Sequence, residues 1–144
     1  MAKIRHIAIV AKDREKVAEF YRKGFDMKEV FRHYTSDSGG EYTIYMSDGY
    51  ITLAIFAPSP ANNYRAEGIY HFGFQVDDCE QGYETAIAAG GSPPWKQTPR
   101  DARGAETFVL DPVGTKVDIS SRGWRTEVEE KQLNSADENL RLRV

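Results

Sequence analysis

Apolar and polar positions alternate in two stretches of the chain that share one pattern. The first runs from Ile4 to Val10 and the second from Gly68 to Val76. Each carries one histidine, His6 or His71, followed two places later by alanine or glycine. Side chains alternate between the two faces of a strand, so each histidine shares a face with its small neighbour. The pattern predicts an open surface beside two histidines, which we take as the candidate site.

The same order of predicted elements follows each of these stretches. In the first half we predict strand 4–10, a helix over 14–23 that begins at Asp13 and ends at Gly24, and strands over 25–34, 42–46 and 50–56. In the second half we predict strand 68–76, a helix over 79–89, and strands over 93–97, 106–110 and 115–120. A single βαβββ unit could not bury its own sheet face. The repeat therefore predicts an α+β fold in which two tandem βαβββ modules form one curved, cup-shaped mixed sheet with both helices outside.

The length of 144 residues fits one domain with a single core. We expect this domain to span 1–121, with module one at 3–57, a linker at 58–67 and module two at 68–121. Residues 122–144 form a charged tail, which we expect to be a partly helical arm or a frayed end.

The composition argues against nucleic-acid binding, a membrane span and a disulfide-linked fold. A hydrophobic fraction of 40%, a charged fraction of 28% and a net charge of -3 are typical of a soluble globular protein without the basic excess of a nucleic-acid binder. The sequence contains neither a signal-peptide core nor an apolar run of about 18 residues, so we expect a cytoplasmic protein that does not cross a membrane. The single cysteine, Cys79, excludes an intrachain disulfide.

Four motifs within residues 3–121 resemble one known family. They are Ile4-Arg5-His6-Ile7-Ala8, Phe20-Tyr21 with Gly24-Phe25, His71-Phe72-Gly73-Phe74, and Asp111-Pro112-Val113-Gly114-Thr115-Lys116-Val117-Asp118. With the repeat, they resemble the vicinal oxygen chelate superfamily, which contains glyoxalases, methylmalonyl-CoA epimerases, extradiol dioxygenases, fosfomycin-resistance thiol transferases and bleomycin-resistance proteins. The superfamily keeps its fold while its chemistry changes, so the resemblance implies the fold more strongly than one reaction.

The resemblance implies metal ligands on the first and last strands of each module. These positions are His6, His71 and Asp118, while the fourth position carries Ala54, which cannot ligate. Two imidazoles and one carboxylate with open positions suit Fe(II) and admit Mn(II), Zn(II), Ni(II) or Co(II) as the divalent metal. The alternative is a metal-free cup in which these side chains only form hydrogen bonds.

The resemblance further implies a metal-dependent lyase, isomerase or dioxygenase of the glyoxalase/dioxygenase group. A metal with open positions can hold two adjacent oxygens of a small substrate. Candidate residues for proton transfer are His33, Tyr45 and Glu41. One alternative is specifically an extradiol-type Fe(II) ring-cleaving dioxygenase.

A second alternative is a ligand-sequestering module of the bleomycin-resistance type. Aromatic side chains pointing into the cup would favour it, and the candidates are Trp95, Trp124, Tyr45 and Phe56. Lys96 and Arg103 are candidates for contacting an anionic substrate. Lys96 lies in Trp95-Lys96-Gln97, which resembles the phosphonate-facing segment of the fosfomycin transferases, and Arg103 lies in the loop that follows. That loop lacks their serine-rich anion site, which disfavours thiol transfer itself. In every case the resemblance implies a homodimer.

Overall fold

The computed structural model describes residues 1–34, 41–59, 66–95 and 104–128. These residues form seven strands and two helices. In chain order the elements are β1 (Lys3–Val10), α1 (Arg14–Phe25), β2 (Lys28–Tyr34), β3 (Tyr42–Ser47), β4 (Thr52–Phe56), β5 (Gly68–Gln75), α2 (Cys79–Ala88), β6 (Thr107–Leu110) and β7 (Lys116–Ser120). The predicted α+β class is confirmed.

All seven strands belong to one curved, unclosed sheet in the order β2-β3-β4-β1-β5-β7-β6. The first strands of the two halves, β1 and β5, pair antiparallel at its centre. Each is also parallel to the last strand of its own half, β4 or β7. The sheet is therefore mixed, as predicted, and the two halves meet along the β1–β5 pair.

Both helices begin where the sequence predicts, because an aspartate caps each of them. Asp13 Oδ1 accepts a hydrogen bond from the Lys16 backbone N–H at 3.0 Å, and Asp78 Oδ1 accepts one from the Gln81 N–H at 2.8 Å. The predicted end of α1 at Gly24 is wrong. The helix continues to Phe25, and Asp26 takes the left-handed conformation with φ 53°. Strand β2 consequently begins at Lys28 rather than at Phe25.

The strand predicted over 93–97 is absent from residues 93–95, and residues 96 and 97 lie outside the described ranges. Only Ser92, just before the prolines, pairs with the sheet. Its N–H donates to the Leu110 carbonyl, and its carbonyl accepts from the Leu110 N–H, both at 2.9 Å. Pro93 and Pro94 lack the N–H that a strand ladder needs, so the pairing stops there.

The core of the first half lies between α1 and one face of the sheet. It contains Ala18 from the helix and Ile44, Met46, Leu53 and Ile55 from β3 and β4. We call this helix-covered side the outer face and the opposite side the inner face. Neither helix in the described part of the chain is long and apolar enough to cross a membrane.

Candidate metal centre

Two rows of side chains cross the inner face, with one residue from each successive strand. The first row follows the register from β4 to β6 and contains Thr52, His6, Gly73, Asp118 and Phe108. The second follows the register from β7 to β2 and contains Lys116, His71, Ala8, Ala54, Tyr45 and Phe31. The alternation of side chains along each strand puts both rows on one face. The three predicted ligands therefore share the centre of the inner face.

The ligand atoms of these three residues converge. His6 Nε2 lies 3.1 Å from His71 Nε2, which lies 3.2 Å from Asp118 Oδ2. All three ligand atoms lie within 4.8 Å of one another. Ligands about 2.1 Å from a metal at adjacent right-angled positions are about 3.0 Å apart. The two spacings at His71 Nε2 therefore match those expected around one cation.

His6 is held in the tautomer that a metal ligand needs. Its Nδ1 lies 3.1 Å from the Thr52 carbonyl oxygen. A carbonyl can only accept, so the proton is on Nδ1 and the lone pair is on Nε2, which faces His71. Burial, with the charge of His71 as a second cause, lowers the pKa of His6 to about 3, so the imidazole is neutral at neutral pH.

Asp118 supplies the negative charge of the site, and Lys116 lies beside it. Burial alone would raise the pKa of Asp118, but its hydrogen bond with His71 and the nearby Lys116 ammonium lower it to about 2. Lys116 Nζ lies 2.7 Å from Asp118 Oδ1. Burial lowers the pKa of His71, and its Nδ1 has no hydrogen-bond partner among the described residues. Two neutral imidazoles, one carboxylate and one ammonium thus meet in a buried space.

Two alanines separate His71 from an aromatic wall. Ala8 and Ala54 lie side by side in the second row, and Tyr45 follows Ala54 on the next strand. Tyr45 stacks on Phe31 with ring centroids 4.1 Å apart. The ring of Phe56 lies 6.2 Å from His71 and 6.4 Å from Tyr45. With Ala8 and Ala54 between His71 and Tyr45, this side of the centre is apolar and sterically small.

The other predicted site residues are placed differently. His33 is exposed near the end of β2, and Glu41 is exposed just before β3. The three predicted ligands, in contrast, are at most 4% exposed. Lys96 and Arg103 lie outside the described residues.

Two further residues border the centre. Lys116 is not among the predicted site residues, although its place two residues before Asp118 in a strand puts both on one face. Trp124, predicted only as one of several aromatic candidates, stacks on His6 with ring centroids 5.0 Å apart and an interplanar angle of 4°. It belongs to residues 121–128, which we call the strap. The strap is neither helix nor strand, and the rest of the tail that we expect to be a partly helical arm or a frayed end, residues 129–144, lies outside the described residues.

Comparisons with known proteins agree with this architecture. The family model described as Glyoxalase/Bleomycin resistance protein/Dioxygenase superfamily matches residues 3–119. No curated protein sequence matches the chain.

Three solved structures share the fold at low sequence identity. A hypothetical protein from Bacillus halodurans C-125 is 21% identical, with 90% of this chain and 99% of that chain covered and a TM-score of 0.67. Methylmalonyl-CoA epimerase from Mycobacterium tuberculosis is 16% identical, with 91% of each chain covered and a TM-score of 0.64. A mutant 4-hydroxymandelate synthase from Streptomyces coelicolor is 19% identical, with 82% of this chain and 48% of that chain covered and a TM-score of 0.61. With a family match over most of its length and the same fold as these proteins, the chain belongs to the glyoxalase/bleomycin resistance protein/dioxygenase superfamily.

Proposed function

We propose that the protein is a metal-dependent enzyme of this superfamily that binds a small substrate through two adjacent oxygens. His6, His71 and Asp118 would hold the divalent metal. The observation that carries the proposal is the convergence of His6 Nε2 and Asp118 Oδ2 on His71 Nε2, at 3.1 and 3.2 Å. Two acceptors aimed at one buried nitrogen are an awkward hydrogen-bond arrangement, whereas one cation satisfies all three atoms together.

Each ligand contributes a different property to the site. His6 presents a lone pair that the Thr52 carbonyl fixes in place. Asp118 supplies one negative charge, and all three residues are buried. When bound, a divalent metal supplies a Lewis acid with open positions for two substrate oxygens. The donor set suits Fe(II) and is also compatible with Mn(II), Zn(II), Ni(II) or Co(II).

The surroundings of the ligands narrow the choice of proton-transfer residue. Tyr45 shares a row with His71, with only Ala8 and Ala54 between them. His33 and Glu41 are exposed, which makes Tyr45 the candidate that we favour. Asp118 is the only carboxylate in the two rows of the inner face, so a second carboxylate acting as base, which an epimerase would need, has no support there. A tyrosine beside a site with two histidines and one carboxylate is compatible with the extradiol-type dioxygenase alternative.

One contact favours a metal-free ligand-binding module as the second candidate. Lys116 Nζ lies 2.7 Å from Asp118 Oδ1 and so neutralises the carboxylate without a metal. In that case His6, His71 and Asp118 would line the binding site and only form hydrogen bonds, without holding a metal. The superfamily resemblance supports a homodimer for either candidate, and analytical ultracentrifugation tests it. The lack of a signal-peptide core in the sequence supports a cytoplasmic location.

Metal content separates the two candidates. The protein is purified anaerobically without a histidine tag, beside Asp118→Ala and, as a matched control, His33→Ala, which removes an exposed histidine. The enzyme proposal expects near-stoichiometric metal in the wild type and His33→Ala and its loss in Asp118→Ala. If no protein retains metal even after reconstitution, the enzyme proposal is wrong and the ligand-binding module is the better account. Retained iron directs the next assay to catechols and oxygen uptake.

A further inference from the structure

The indole of Trp124 fits a slot made by two glycines. A Cβ added at Gly73 would lie 2.5 Å from Trp124 Cη2, and one added at Gly104 would lie still closer to Trp124 Nε1. Real Cβ atoms essentially never come within 3.0 Å of another heavy atom in this way. Gly104 also has φ +92°, a conformation that residues with side chains rarely adopt. Any side chain at either position would therefore push the indole out of place.

Hydrogen bonds fix the first residues of the strap, before Trp124. Glu106 Oε1 accepts hydrogen bonds from the Ser121 N–H at 2.8 Å and from the Arg122 N–H at 3.1 Å. The Gly123 N–H donates to Ser120 Oγ at 3.0 Å. These bonds direct the chain from the end of β7 onto the inner face.

The strap is fixed again beyond Trp124, by a residue that also holds His6. The Thr52 hydroxyl donates to the Arg125 carbonyl oxygen, while the Thr52 carbonyl accepts from His6 Nδ1. The His6 ring is thus held at its edge by Thr52 and on its face by Trp124. The hydrogen bond at the edge still allows the ring to tilt, and the stacked indole restricts that tilt.

We propose that Trp124 is a positioning residue of the metal centre, which fixes the plane of the His6 imidazole so that Nε2 points at the site. The inference rests on the proposed function, because it takes His6 to be a ligand. Groups that orient a metal-bound histidine without touching the metal typically change metal affinity by about 10- to 100-fold when they are removed. Trp124 acts through a ring stack rather than through a hydrogen bond, and it also covers His6, which is 3% exposed.

Co(II) binding to apoprotein tests the inference with two readouts, calorimetric affinity and tryptophan fluorescence. The chain has two tryptophans, so Trp95→Phe leaves Trp124 as the only emitter. Co(II) bound beside Trp124 quenches its emission. We expect saturable quenching in Trp95→Phe, Trp124→Ala to bind Co(II) about 10- to 100-fold more weakly than the wild type, and Trp124→Phe to recover most of the loss.

Gly104→Ala provides a second perturbation if Trp124→Ala does not fold. It displaces the indole and leaves both Trp124 and His6 in the sequence, so we expect weaker Co(II) binding with cooperative thermal unfolding retained. Wild-type Co(II) affinity in a folded Trp124→Ala or Gly104→Ala variant overturns the positioning role while the metal centre stands. No Co(II) binding by the wild type overturns the proposed function and the inference together. Co(II) binding by Asp118→Ala with wild-type affinity has the same consequence, because Asp118 is then not a ligand.

Discussion

Gly73→Ala measures how tightly the strap is packed against the sheet. The new methyl group would lie 2.5 Å from Trp124 Cη2, 2.6 Å from Trp124 Cζ2 and 2.9 Å from His6 Cβ. Overpacking of a filled site costs about 1–3 kcal/mol. Against this, alanine lowers the entropy of the unfolded chain relative to glycine and returns about 0.4–1 kcal/mol. The packing cost is the larger effect, so we expect a net loss of about 1 kcal/mol in the free energy of unfolding, within limits of about 0 and 2.6 kcal/mol.

A double-mutant cycle with Trp124→Ala isolates the contact with the indole. Without the indole, only the contact between the new methyl group and His6 Cβ remains. The cost of Gly73→Ala should then fall by about 1 kcal/mol, within the range found for residues in contact. Urea denaturation gives the four free energies of unfolding, and Gly73→Ala alone should lower Tm by about 2–6 °C.

Gly24→Ala is the matched control for this cycle. Gly24 lies within α1, and a Cβ there would meet nothing within 4 Å. The same substitution should therefore raise the free energy of unfolding, by about 0.5–1 kcal/mol. An equal cost of Gly73→Ala with and without the indole would refute the packing of Trp124 against Gly73.

Three further predictions concern charges and caps. Burial alone would raise the pKa of Glu106, but hydrogen bonds from Ser121, Arg122 and Ser120 lower it from 4.5 to about 2. The Glu106 carboxylate therefore stabilises the fold fully above pH 4.5, and this stabilisation is lost as the pH falls towards 2. The difference in the free energy of unfolding between the wild type and Glu106→Gln should shrink over that pH range, as measured by urea denaturation at a series of pH values. Lys116→Met removes the ammonium that pairs with Asp118 and should strengthen Co(II) binding by about tenfold or more in calorimetry; unchanged or weaker binding would mean that Lys116 does not compete with a metal. Asp78→Ala removes the cap of α2 and should cost about 1 kcal/mol in thermal or urea unfolding, and no loss would show that the cap does not contribute.

Part of the fold and of the candidate site could be predicted from the sequence. Period-two alternation puts His6 and His71 each on one face with its small neighbour, whereas Asp118 was expected beside them only from the family resemblance. The register that brings their atoms to 3.1 and 3.2 Å is set by pairing between β1, β5 and β7. That pairing joins residues far apart in sequence, so only the repeat and the family resemblance pointed to it.

The predictions from the sequence were wrong or incomplete where contacts between residues far apart in the chain determine the structure. The strap has no helical or strand periodicity of its own, and its course depends on hydrogen bonds to Glu106 and Thr52 and on the slot beside Gly73. At the end of α1 the left-handed turn falls on Asp26 rather than on Gly24, because aspartate also tolerates that conformation. Lys116 is not among the predicted site residues, although strand alternation alone places it on the same face as Asp118.

Because β1 pairs with β5, the candidate centre is complete only when the two halves of the chain are packed together. His6 comes from the first half, while His71 and Asp118 come from the second, so neither half contains a full donor set. A cation that binds only the joined state stabilises it by RT ln(1 + [L]/Kd), which is about 2.7 kcal/mol when the free cation is at 100 times its Kd. Metal supply would then govern how firmly the halves hold together, and two chains that exchanged halves would still form complete centres.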